Sequence, residues 1–356
     1  MSTPSANKIL PLAAGLLTAV IAFSSSFSVI VQGLRGVGAT PAQAASGLLA
    51  LSVAMGLCSI VYSWRTRMPV SIAWSTPGAA FLAIAGVPEG GFAAAVGAFL
   101  ITGALIILTG LIRPLGRWIT AIPRSLASAM LAGILLQFGF AIFSSLQQQL
   151  LLVGAMCLTY LLAKALLPRY AILAVLVCGL LLVSLGGELD LSAVKLTLAT
   201  PVWVTPAFSL SALLGVGLPL LLVTMASQNI PGVAVLRASG YQTPVSPLIS
   251  STALSTLLLA PLGAFSINLA AITAAICSGN EAHPDSSKRY IAGIAAGIFY
   301  LLFGLAGATV VALFAAFPTE MVAALAGLAL FLSRDLAPGT LRQIGPGMLP
   351  KAFAWI

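Results

Sequence analysis

The sequence predicts an all-α, polytopic membrane protein that carries an inverted internal repeat. Three observations support this. Of 356 residues, 60% are hydrophobic and only 6% are charged, whereas a soluble domain carries about 25% charged residues; mean hydropathy is +1.11. The chain divides into a dozen apolar segments, and the basic residues between them fall on alternate loops. Two of the segments, the third and the tenth, are short and interrupted in the same way.

The apolar segments cover residues 9–31, 42–64, 70–86, 91–112, 121–142, 146–163, 170–187, 207–229, 245–262, 265–279, 290–316 and 319–332. A spanning helix needs about 20 residues, so most qualify and the twelfth barely does. Met1 to Leu10 is short and polar, and the first span is expected to act as its own insertion signal. With a cytoplasmic N-terminus, the inner loops up to residue 290 hold Lys8, Arg65, Arg67, Arg113, Arg117, Arg124, Lys164, Arg169, Arg237, Lys288 and Arg289. The outer loops then hold only Arg35 and Lys195. That asymmetry predicts a multi-pass inner-membrane protein with its N-terminus inside. The net charge of +9 is spread over loops and forms no stripe, so no nucleic-acid partner is expected.

The third segment, "SIAWSTPGAAFLAIAG" (Ser71–Gly86), reads as helix only from Pro77 to Ala85. Ser75 and Thr76 suit a helix cap and Pro77 a first turn. The tenth, "GAFSINLAAITAAICSG" (Gly263–Gly279), reads as extended over Phe265–Asn268. Asn268 is expected to cap a helix from Leu269 to Ser278. An offset of seven spans inverts one copy relative to the other. Matching interrupted segments in inverted halves point to a transporter site at the membrane midplane. Irregular backbone at that depth must be buried in protein or face a cavity. Two opposed extended pieces can pair with each other, and each half-helix then presents its N-terminal end to one central point. Such a point suits a carboxylate.

Further polar residues lie in the eighth and first spans. "LPLLLVTMASQNIPG" places Thr224, Ser227, Gln228 and Asn229 before Pro231 and Gly232; Gln228 has donors and an acceptor with which to read a carboxylate. "FSSSFSVIVQG" places Ser24, Ser25, Ser26 and Ser28 at mid-depth, with Phe23 and Phe27 beside them. Serines there commonly bond their own helix or a neighbour, and the two phenylalanines are more often packing than ligand-stacking groups. Gly293 and Gly297 suit close helix contact. Cys58, Cys157, Cys178 and Cys277 lie in apolar runs, and the single histidine, His283, lies in a polar loop. No metal site, cofactor or catalytic constellation is expected, and no phosphate-binding loop for ATP. All seven acidic residues lie in loops or at span edges, so the buried carboxylate that often relays protons in carriers has no counterpart here.

Three stretches, "STPGAAF" (Ser75–Phe81), "SQNIPGVAVLRASGY" (Ser227–Tyr241) and "FSINLAAITAAI" (Phe265–Ile276), resemble the benzoate/proton symporter family, BenE. The likeness runs over about residues 9 to 330. It implies the fold shared with nucleobase and sulfate-type carriers, fourteen spans in two inverted sevens. Spans 1–4 and 8–11 would form a core domain, and spans 5–7 and 12–14 a gate domain. On this chain that means core over 1–120 and 201–317, gate over 121–200, and an incomplete gate with an atypical tail over 318–356. After Leu330 the text "FLSRDLAPGTLRQIGPGMLPKAFAWI" holds no further span, so the expected count is about twelve. The resemblance places substrate between the half-helices, beside the eighth span. Where nucleobase carriers have acidic residues on spans 8 and 10, this chain offers Ser227 or Gln228 and Ile267 or Asn268.

The sequence therefore predicts a secondary transporter, not an enzyme, for a small aromatic carboxylate, benzoate first, coupled to protons. A nucleobase or inorganic anion carrier, a passive channel and a transport-inactive protein with an incomplete gate are the alternatives. The expected substrate-binding residues are Ser24, Ser26, Ser75, Thr76, Gly78, Ser227, Gln228, Ser266 and Asn268. Expected partners are the organic anion, protons and the bilayer, with a homodimer allowed.

Overall fold

The computed structural model describes residues 6–111, 139–166, 171–186, 198–242, 245–270, 273–279, 282–309, 312 and 316–335. It opens with α1 (Ala6–Gly36) and α2 (Pro41–Thr66). Thr40 starts α2 through a reciprocal cap: its hydroxyl accepts the Gln43 N–H at 3.3 Å, and the Gln43 side chain accepts the Thr40 N–H at 2.8 Å. Pro41 fills the first turn, where a missing N–H costs nothing. Then come β1 (Ile72–Trp74), α3 (Thr76–Ala85) and α4 (Gly91–Leu111). The next elements are α5 (Leu150–Leu166), α6 (Ala171–Leu185) and α7 (Leu210–Ala238). The described residues end with α8 (Val245–Leu259), β2 (Ile267–Leu269), α9 (Thr273–Ser278), α10 (Tyr290–Leu305) and α11 (Thr319–Asp335).

Among the described residues five helices are long and apolar enough to cross a membrane, or six if the bent pair Leu10–Phe23 and Ser26–Gly36 counts as one span. Most of the span expected over 121–142, and the tail after Asp335, lie outside the described residues.

The two interrupted segments meet. β1 and β2 pair antiparallel, with Ile72 opposite Leu269, Ala73 opposite Asn268 and Trp74 opposite Ile267. The pairing continues one bond beyond each end. The Ser75 N–H donates to the Ser266 carbonyl at 3.3 Å, and the Ala270 N–H donates to the Ser71 carbonyl at 3.0 Å. A two-stranded sheet leaves outward N–H groups that must find partners when buried. Ile72 donates to Ser59 Oγ of α2 at 3.0 Å, and Ile267 donates to Thr256 Oγ1 of α8 at 2.8 Å. α2 and α8 arise from the second and ninth apolar segments. The repeat thus appears in the hydrogen bonds: helices seven segments apart do the same task for equivalent strand residues.

Small residues bring the helices close, as membrane packing requires when lipid is as apolar as the helix surface. A Cβ on Gly33 of α1 would stand 2.5 Å from the Ala79 carbonyl oxygen of α3. One on Gly297 of α10 would stand 2.6 Å from the Gly56 carbonyl oxygen of α2. α10 packs on both α1 and α2, and α8 packs on α4. Buried apolar side chains form two clusters. The larger joins α1–α4, α7, α8, β1, β2 and α10. The smaller joins α5, α6 and α11, and Phe27 of α1 reaches into it.

The turn between α9 and α10 is tied by Arg289, whose guanidinium donates to the carbonyls of His283 (2.7 Å), Ser278 (2.8 Å) and Pro284 (3.3 Å). In the same turn the hydroxyl and N–H of Ser287 donate to the Asp285 carboxylate. Those bonds, with Lys288 nearby, hold that carboxyl below the usual carboxylate range.

Candidate functional site

The strand pair positions the start of α3, and Ser75 lies between them. Its backbone is extended, and its hydroxyl accepts the Gly78 N–H at 3.1 Å, an N-cap as the sequence predicts. Pro77 has no N–H to satisfy. The Thr76 N–H remains, without a partner among the described residues, on a residue that is only partly buried. One free donor and the positive end of a helix dipole therefore coincide at this point.

α7 supplies the other wall. It is not a regular α-helix: Leu213–Gly217 and Met225–Asn229 are π-turns. Across the second, the Ile230 N–H reaches five residues back to the Met225 carbonyl. Residues five apart on an α-helix differ by roughly 140° in direction, whereas a π-turn stacks them. The turn therefore brings Thr224 and Asn229 to one face, and both hold the crossing segments. Thr224 Oγ1 donates to Ser75 Oγ at 3.1 Å and accepts from Ser266 Oγ at 3.1 Å. Asn229 Oδ1 accepts the Leu269 N–H at 3.0 Å. Close approach at the far side of the turn depends on Gly232, where a Cβ would stand 2.8 Å from Leu269 Cβ.

Gln228 lies in the same π-turn, which packs on β2. It is 8% exposed, and its amide makes no hydrogen bond to any described residue. The amide atoms themselves are not among the fully buried atoms without a partner, so water or a ligand can complete the donors and acceptor they leave unspent. It is the strongest ligand signal in the described structure.

The structure thus gathers Ser75, Thr76, Gly78, Gln228, Ser266 and Asn268 around the crossing. Ser227 is on the same turn, but its hydroxyl donates to the Val223 carbonyl of its own helix at 2.5 Å. The Ser24 side chain lies outside the described residues. Ser26 is buried in α1, which packs along α3. Ser28, which the sequence does not single out as a binding residue, has a buried hydroxyl without a partner among the described residues.

One expectation is corrected. Asn268 does not cap a helix beginning at Leu269; both residues lie in β2, and among the described residues α9 covers Thr273–Ser278. Strand pairing with β1 takes the backbone of Ile267–Leu269 first, and the Asn268 side chain turns to the neighbouring strand end. With its amide oriented to suit its neighbours, its oxygen accepts the Ser75 N–H at 3.0 Å and its nitrogen donates to the Leu269 carbonyl at 3.0 Å.

Aromatic packing is clear only in three dimensions. Trp74 of β1 is 2% exposed and meets Phe23 edge-to-face at 4.9 Å. Phe23 also packs on Phe303 at 5.2 Å. The ring of Phe23 is therefore committed to the protein, while Phe27 belongs to the smaller cluster. Thr224, Asn229, Ser59 and Thr256 are not among the site residues expected from sequence, because single hydroxyls and amides in apolar helices carry no spacing signal.

Known proteins match this chain along most of its length. The family described as "Benzoate membrane transport protein" (BenE) matches residues 5–337. The chain is 46% identical over 319 residues to the inner membrane protein YdcO of Escherichia coli, covering 90% of this chain and 81% of that one. It is 38% identical over 317 residues to a benzoate membrane transport protein of Acinetobacter baylyi, covering 89% and 80%. Among solved structures, the transmembrane domain of a cyanobacterial bicarbonate transporter, BicA, superposes with a TM-score of 0.65 at 15% identity, covering 99% of this chain and 95% of that one. At that identity the likeness concerns the fold alone, the 7+7 inverted-repeat architecture.

Proposed function

The chain belongs to the benzoate membrane transport protein family, and we propose that it carries benzoate across the inner membrane as a secondary transporter. The unspent Gln228 amide, in the π-turn that packs on β2, is the observation that carries this reading to a site. A carboxylate is an acceptor-only group. It suits the crossing, where the Thr76 N–H and the Gln228 amide have no partner among the described residues and can donate. No lysine or arginine lies in the crossing segments or the second π-turn, so the anion would be met by neutral donors and a helix end rather than by a buried cation.

Transport requires the site to open alternately to each side. In inverted-repeat carriers one bundle rocks against the other around a fixed site. Here the larger apolar cluster holds the crossing, and the smaller cluster of α5, α6 and α11 is the candidate gate. Coupling to protons and a cytoplasmic N-terminus belong to the same reading; the excess of basic residues on alternate loops supports the latter.

The test is uptake of labelled benzoate by proteoliposomes holding the purified chain, with and without an inward proton gradient. Accumulation that follows the gradient is expected. Rapid flux that ignores the gradient would indicate a channel, and no flux above empty liposomes would overturn the transport reading.

A further inference from the structure

Along the second half of α2 the exposed apolar side chains fall on one line. Leu57 is 51% exposed, Val61 42% and Trp64 60%. Spacings of four and three residues put them on one face of a helix, while Ser59 and Ser63 on the opposite side are buried. The stripe covers about 10 Å of helix length. At its end the chemistry changes. Arg65 stands four residues beyond Val61, on the same line, and is exposed, as is Arg67. Among the described residues neither is paired with a carboxylate. Arg67 closes α2 in the left-handed region, at φ 55° and ψ 24°, which a residue with a Cβ rarely adopts. Its guanidinium lies over the Tyr290 ring at the start of α10, 4.7 Å from the centroid. The ring fixes where that cation stands without neutralising it. Lys288, two residues before Tyr290, adds a third positive charge, loosely paired with Asp285 at 3.6 Å.

We propose that the end of α2, with the start of α10, binds an anionic phospholipid, its phosphate on Arg65 and Arg67 and an acyl chain along Leu57, Val61 and Trp64. A stripe that is apolar for two turns and then ends in cations has the same polarity as a molecule whose apolar chain ends in a phosphate. Trp64 stands at the change of character, where an indole ring belongs at a membrane boundary. Guanidinium groups present forked donors that match phosphate oxygens. A free phosphate ion would engage the cations and leave the stripe unused. A zwitterionic headgroup brings a cation of its own, which the arginines oppose. The site lies apart from the crossing, and the inference holds whatever the transported substrate.

Arg65→Gln combined with Arg67→Gly tests this. Glycine accepts the left-handed conformation, so the end of α2 keeps its backbone. Dissociation constants are measured by native mass spectrometry on the purified full chain in neutral detergent. The probes are phosphatidylglycerol, phosphatidylcholine with the same chains, and glycerol phosphate. The native chain should bind phosphatidylglycerol at least about fivefold more tightly than phosphatidylcholine, the scale of one basic residue near an anionic headgroup. The double variant should lose at least about tenfold for phosphatidylglycerol and little for phosphatidylcholine. Arg237→Gln, which removes an exposed charge from another helix, α7, should keep phosphatidylglycerol affinity within roughly twofold of native. Equal binding of the two lipids overturns the proposal, and so does full phosphatidylglycerol affinity in the double variant. A loss in Arg237→Gln as large as in the double variant would mean diffuse attraction to basic loops and overturns it too. Glycerol phosphate bound as tightly as phosphatidylglycerol would mean an ion site without a lipid, which equally overturns it.

Discussion

The side-chain oxygen of Asn229 accepts the Leu269 N–H at 3.0 Å, joining the π-turn of α7 to the outer edge of β2. Asn229 is fully buried and its nitrogen points to Met225 Sδ at 3.3 Å, a weak acceptor. The strand edge is therefore the stronger of its two bonds.

Asn229→Leu should leave a buried strand N–H without an acceptor, at a cost of about 1–3 kcal/mol. Asn229→Asp keeps the acceptor and adds a negative charge near the site. The leucine variant should unfold at a lower temperature and bind benzoate poorly. The aspartate variant should retain more stability than leucine and still lose benzoate affinity. Equal affinity in the native and aspartate proteins would show that the anion binds elsewhere.

The symmetric bonds of the strand pair make a paired prediction. Ser59→Ala removes the acceptor for Ile72, and Thr256→Val removes the one for Ile267. Each should destabilise by about 1–3 kcal/mol, read as comparable losses in denaturant or thermal unfolding in detergent. A large loss for one and none for the other would show that the two repeats bear load unequally.

Helix contact makes a steric prediction. Any side chain on Gly297 meets the Gly56 carbonyl oxygen and the Ile60 side chain of α2, both within 2.7 Å of where its Cβ would stand. Gly297→Leu has to push α10 off α2, and overpacking of this kind costs about 1–3 kcal/mol or more. The measurable outcome is a reduced yield of folded protein, whereas Gly215→Ala, where a Cβ meets nothing within 4 Å, should fold at close to the native yield.

The residues gathered at the crossing are serine, threonine, glycine, glutamine and asparagine, none of which changes charge near neutrality. Benzoate affinity should therefore stay flat between about pH 6 and 8, whether or not a proton gradient drives transport. Equilibrium binding at several pH values checks this. A change beyond roughly threefold would reveal a titrating group that acts on the bound anion.

How far the sequence can be read depends on how local each signal is. Ser75, Pro77 and the helix after them are adjacent in the chain, and the cap appears where local rules put it. The twin interrupted segments are visible because Pro, Gly and polar residues stand out in apolar text. Asn268 departs from its local rule, an N-cap, because that rule competes with strand pairing to Ala73, nearly two hundred residues away. The Ser266–Thr224–Ser75 chain joins residues that no spacing connects, and the π-turn that aims Thr224 and Asn229 together leaves no mark on hydrophobic periodicity. Thus the elements are legible, and so are the polar residues available to a site. Which of them hold the scaffold and which remain unspent is decided by contacts between distant segments.

The antiparallel strand pair also bears on how the protein is made. Roughly 200 residues separate Ile72 from its partner Leu269. At a synthesis rate of about 5–20 residues per second, β1 leaves the ribosome about 10–40 seconds before β2 exists. During that interval the nascent chain holds a strand with an open edge and a helix too short to span, and hydrocarbon tolerates neither uncovered. The first half of the chain must therefore wait in the insertion machinery, or at the bilayer surface, until the second half arrives. Its assembly is finished late, by a segment still to be translated.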